Sequence, residues 1–142
     1  MNATPLNETI ALGALTGMRS MAGPSALASR YNGVLGRLLP VLAFGEMIAD
    51  KTSAVGNRTD PVPLMGRAVI GAVVGGVIAH ERHRNLIVHG LIGAAAAVAA
   101  AHLAYQVRKR LPLSNVMGGV LEDSLVIGLA SMYGADIGRE DY

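Results

Sequence analysis

The 142 residues are 51% hydrophobic and only 15% charged, with a mean hydropathy of +0.41, 18 Gly, one Phe and no Trp. A soluble domain carries about 25% charged residues, so this deficit argues against a water-solvated surface. No Cys is present, which excludes a disulfide framework, a thiolate metal site and a cysteine nucleophile. The formal charge of +2 comes from scattered basic residues without interleaved aromatics, a pattern that suits anionic lipid headgroups and not nucleic acid.

Residues 1–8 carry no basic side chain, so the first apolar run is expected to be kept and not cleaved as a secretory signal. Asn7 or Thr9 is the expected cap of a first helix over about 8–29. Arg19 stands at its middle. Gly13 and Gly17 form a small-residue pair that lets another backbone approach. Pro24, preceded by Gly23, is expected to kink or break the helix just past Arg19 and to free carbonyls there.

A second apolar run covers about 34–50 and is shortened by Arg37 and Pro40, so it is expected to tilt or insert only partly. It ends in Gly45-Glu46-Met47-Ile48-Ala49-Asp50-Lys51. Helical spacing puts Glu46 and Asp50 on one face, one turn apart, with Lys51 beside them. Residues 54–63 have the Gly, Asn and Pro punctuation of an irregular loop. The third helix, about 64–80, holds Gly66, Gly71, Gly75 and Gly76, with Arg67 near its start. At about 1.5 Å per residue such a segment just spans a hydrocarbon core near 30 Å.

A polar turn at 81–85 leads to a fourth helix over about 86–107, which carries the Ala-rich run 94–101 and ends in Arg108-Lys109-Arg110 before Pro112. His89 and His102 lie on different faces of it, about 20 Å apart, so they cannot share a metal. His102 is expected to hydrogen-bond to a neighbouring helix. The fifth helix, about 115–132, carries Glu122 and Asp123 two turns inside an apolar segment. A polar tail over 134–142 is expected to lie in water.

The expected fold is all-α: a single integral membrane domain over 1–142, a small polytopic bundle of about five apolar helices with a kinked first helix. Helices one and two end in an acidic pair, as do helices four and five, which suggests an inverted repeat about helix three. The basic residues are too evenly divided between the two sides to fix an orientation.

Several motifs together resemble a known family. They are Gly17-Met18-Arg19-Ser20 followed by Pro24, Gly45 to Lys51, Arg67 opening a Gly-rich helix, Tyr105-Gln106-Val107-Arg108, and Leu121-Glu122-Asp123. In order and spacing they resemble the small bacterial integral membrane proteins catalogued as domain of unknown function 4126. The resemblance covers nearly the whole chain and implies a multi-pass inner-membrane protein of unestablished activity. Lys51-Thr52-Ser53 departs from the Lys-hydrophobic-Pro pattern of that family, so the loop after helix two is expected to differ.

Arg19, Glu46, Asp50, Lys51, Glu122 and Asp123 are the candidate site for a substrate or ion, because intramembrane charge needs a partner, a cavity or a guest. Glu46, Asp50, Glu122 and Asp123 are the candidate oxygen ligands for a hard cation, and a carboxylate without a partner would hold a proton. Transport of a cation or proton is the first reading. A second takes Arg19 and Arg67 as contacts for a phosphate or lipid headgroup. A third is an accessory or scaffold subunit that packs through its small-residue faces. A salt-bridge cluster that only sets helix register explains any one of these charges equally well. No nucleophile and base pair is recognisable, so catalysis is not expected, and neither is a cofactor. The bilayer is the expected partner, and a homo-oligomer is left open.

Overall fold

Thr4 and Pro5 start the chain's first helix. The Thr4 side chain accepts the Asn7 N–H at 3.3 Å, and Pro5 occupies the first helical position, where its missing donor costs nothing. The expected cap at Asn7 or Thr9 is therefore corrected to Thr4. The structure is a computed structural model; it describes residues 4–30, 34, 61–111 and 115–135, and the regular elements among them are all helices.

The helix expected over 8–29 is two helices, α1 (Pro5–Met18) and α2 (Ala22–Ala28). The break falls at Arg19, which has extended backbone (φ −142°, ψ 121°). Pro24 is the cause. Its ring would meet the Ser20 carbonyl in a continuous helix, whereas in the first turn of α2 its missing N–H needs no partner. Carbonyls at the break are not simply freed: that of Arg19 accepts from Ala22 N–H and that of Met21 from Ser25 N–H. Gly23 lets α2 fold back tightly, since a Cβ there would run into the Thr16 hydroxyl and the Leu12 carbonyl.

α3 (Pro61–Glu81) begins three residues before the expected start, because Pro61 and Pro63 sit in a first turn that tolerates them. It ends in a Schellman motif. The N–H of Arg84 bonds the Ala79 carbonyl at 2.7 Å, the N–H of His83 bonds that of His80 at 3.3 Å, and His83 takes the left-handed conformation (φ 50°). Asn85 then caps α4 (Leu86–Arg110) by accepting from Ile87 and Val88 N–H. α5 (Asn115–Ala135) runs three residues beyond the expected end, so the tail expected from 134 begins no earlier than 136. Apart from Val34, the helix expected over 34–50 lies outside the described residues, and so does the acidic pair on which the inverted repeat depends.

α1 is the centre of the bundle, in contact with all four other described helices. Small residues set its seams: a Cβ on Gly13 would lie 2.8 Å from the Gly93 carbonyl oxygen, and one on Gly17 would collide with the Ala97 carbonyl. Gly71 and Gly75 of α3 meet Gly93 and His89 of α4 in the same way, so α3 and α4 are antiparallel and α1 runs parallel to α4. Gly71, Gly75, Gly93 and Ala97 are thus used inside the bundle, whereas Gly66 and Gly76 have nothing within 4 Å. Leu12, Leu15, Ala26, Leu27, Val74, Ile78 and Val126 form the core.

α3 and α4 are the two described helices long and apolar enough to cross a membrane. α1, with 14 residues, and α2, with seven, are each too short to span alone, since about 20 residues are needed.

Candidate functional site

Arg19 is held at the helix break, 1% exposed, and is the largest fully buried side chain among the described residues. Its Nη2 pairs with Asp123 Oδ1 of α5, 104 residues away in sequence. Asp123 is itself buried. Two ions removed from water into a packed helical interior are stabilised by each other and strongly destabilised when either is removed.

Glu122 faces elsewhere. Successive helical residues are about 100° apart, and Glu122 Oε2 lies 3.2 Å from Arg108 Nη2 at the end of α4. The two adjacent carboxylates are therefore divided between two arginines. Arg67 is buried on α3, and the helix register puts it near the level of Gly17, two residues before Arg19. Arg19 and Arg67 are 1% and 6% exposed, so a lipid headgroup would have to enter the bundle to reach them. Gly23 and Pro24 shape the break next to Arg19, as described above. Glu46, Asp50 and Lys51 lie outside the described residues. Among the described residues, no group of three or more His, Asp or Glu side chains is arranged to hold a metal ion.

The tertiary structure adds a second charge cluster that sequence reasoning missed. Glu8, 2% exposed in the first turn of α1, pairs through Oε1 with Arg30 Nη2 and stands 3.7 Å from Arg82 Nε through Oε2. Arg30 also reaches Glu81 Oε2 at 3.4 Å. Glu8 looks like a polar leader residue if the helix starts at Asn7 or Thr9. The Thr4-Pro5 pair, a cap followed by a first-turn proline, was the available signal that it lies inside a helix.

A polar contact of another kind sits one residue further on. Thr9 Oγ1 lies 2.7 Å from His89 Nδ1 and 2.9 Å from the Pro5 carbonyl oxygen. The hydroxyl has one proton: donated to Pro5, it leaves a lone pair for an Nδ1–H of His89. His102, expected to make the interhelical bond, is exposed instead. The two rings are on different faces of α4, and only that of His89 is turned to the α1 seam.

No family model, curated protein or solved structure matches this chain.

Proposed function

We propose that this chain is a multi-pass protein of the bacterial inner membrane that passes a cation or a proton, with the Arg19–Asp123 pair as its exchange site. One observation carries the reading. Among the described residues the largest fully buried side chain is an arginine at a helix break, matched to a carboxylate 104 residues away. Such a pair is rarely better for stability than apolar residues of the same volume. Charge kept at membrane depth is by default a site.

The setting supports this. Only 33% and 22% of the apolar windows of α3 and α4 are buried, whereas the core helix of a soluble protein would be mostly covered. Val62, Val69, Val73, Ile87, Leu91 and Leu103 all point outward and are exposed. Lipid solvates such a surface and water does not.

In mechanism, Arg19 serves as a tethered counter-ion. With no guest it neutralises Asp123. A proton or cation that takes the carboxylate displaces the guanidinium. Release of the guest lets Arg19 return. Glu46, Asp50 and Lys51 complete the proposal as further ligands and charge from residues 46–51. Buried polar groups extend from Glu8 and Thr9 through Thr16 of α1 to Arg19 just past its end. α1 covers about 15 Å from Glu8 to its end, roughly half of a hydrocarbon core.

The test is flux. Wild-type protein in liposomes loaded with a pH-sensitive or divalent-ion dye is expected to give a signal that Asp123→Asn abolishes. Silence of the wild type towards protons and divalent cations would sink the reading.

A further inference from the structure

We propose that residues 5–30 form a re-entrant hairpin: the chain enters the membrane near Pro5 and leaves it near Arg30 on the same side, with Arg19 at the tip. The inference rests on the membrane reading above but not on transport.

The direction of each arm follows from the residues that meet across it. Gly23, at the start of α2, lies against Thr16 and the Leu12 carbonyl, whereas Arg30, just past the end of α2, reaches Glu8 in the first turn of α1. Partners move back along α1 as the chain moves forward along α2, so the two helices are antiparallel. In a single kinked span the 22 residues from Glu8 to Arg30 would separate them by about 33 Å, beyond the reach of both side chains. Arg30 also meets Glu81, the last residue of α3, and Glu8 stands beside Arg82 in the turn that follows. That turn joins α3 to α4, the two described helices long enough to cross. Both arms therefore open on the membrane face that carries this turn.

The tip stops short of the other face. α1 runs parallel to α4 with Gly17 against Ala97, and α4 continues for 13 more residues to Arg110. That is about 20 Å of helix beyond the tip, against a hydrocarbon core of about 30 Å. Backbone that leaves the helix at membrane depth is tolerated where protein or a water-filled cavity surrounds it. The break at Arg19 meets that condition: its side chain is buried against Asp123, its carbonyl accepts from Ala22 N–H, and Ala22 and Gly23 are themselves buried. The Arg19–Asp123 pair thus hangs part-way through the membrane from one face, and the Glu8–Arg30 pair ties the two arms together at the mouth.

The chain has no Cys, so single-cysteine variants of the full chain read sidedness without background. Asn7→Cys and Ser29→Cys mark the two arms, Leu86→Cys the turn after α3 and Leu111→Cys the far end of α4; all four positions are exposed. Each replaces an uncharged residue, so the basic residues that set orientation are untouched. A membrane-impermeant maleimide is applied to intact cells and to inverted vesicles. Asn7→Cys, Ser29→Cys and Leu86→Cys are expected to label in one preparation and to lose that labelling in the other, with Leu111→Cys showing the reverse. Asn7→Cys and Ser29→Cys labelling in different preparations would overturn the hairpin and leave the membrane reading intact. Recovery of the protein in the supernatant of alkaline-washed membranes would overturn both. Flux plays no part in the readout, so failure of the hairpin and failure of transport are told apart.

Discussion

Glu122 and Asp123 are neighbours in the chain yet serve different arginines: Asp123 pairs with Arg19, 1% exposed, and Glu122 with Arg108, 34% exposed. The same chemistry should therefore differ in worth. Asp123→Asn removes a carboxylate from the more deeply buried arginine and is expected to cost more than Glu122→Gln, whose arginine is partly exposed. Unfolding in mild detergent compares the two, and equal losses would contradict the burial difference. The double variant Arg19→Leu/Asp123→Leu is expected to be more stable than Asp123→Asn, since it removes both buried charges.

The seam around α1 makes the glycines unequal. A methyl group on Gly17 would meet the Ala97 carbonyl, whereas Gly76 has nothing within 4 Å of that position. Gly17→Ala is expected to destabilise by about 1–3 kcal/mol through overpacking. Gly76→Ala is expected to stabilise by up to about 1 kcal/mol through helix propensity. Thermal melts of the two variants should move in opposite directions.

The Thr9–His89 contact predicts a difference between the two helix-four histidines. Thr9→Val keeps the shape and removes the hydroxyl, so it is expected to cost about 1 kcal/mol. His102→Ala, at an exposed position, is expected to stay within about 0.5 kcal/mol of the wild type. If melting shows the reverse order, the hydrogen bond is misassigned.

His83 occupies a position that usually belongs to glycine, the left-handed residue of the Schellman motif after α3. His83→Gly is expected to raise stability by about 1 kcal/mol, the lower end of the left-handed penalty. His83→Val should lower it, because a β-branched side chain adopts that conformation least readily. Melting temperatures check both.

The helices were largely legible because apolar runs, caps and prolines act locally. Pro24 announced the break beside Arg19 from within the sequence, although its exact place was decided by which turn tolerates a proline. The ends of α1 and α3 were misplaced for one reason: Thr4-Pro5 and Pro61-Val62-Pro63 read as loop punctuation, yet proline is also a first-turn residue. Glu8 and Arg30 stand at the two ends of the first apolar stretch and carry no local mark of burial. Nothing local signals that α2 folds back to bring Arg30 onto the first turn of α1, since that reversal depends on the close approach at Gly23.

By itself the sequence determined an all-helical chain with too few charges for a watery surface, and it picked out Arg19 and the 122–123 acids as charges set in apolar helices. Composition and hydropathy are sums over neighbouring residues, so no partner is needed to read them. Only the tertiary structure decided who faces whom: Asp123 and not Glu122 for Arg19, His89 and not His102 for Thr9, Arg30 for Glu8. Those choices turn on helix rotation and on how closely backbones pack at Gly13, Gly17, Gly71 and Gly75. The contacts that fix them join residues 104, 80 and 22 positions apart, beyond the reach of any local pattern.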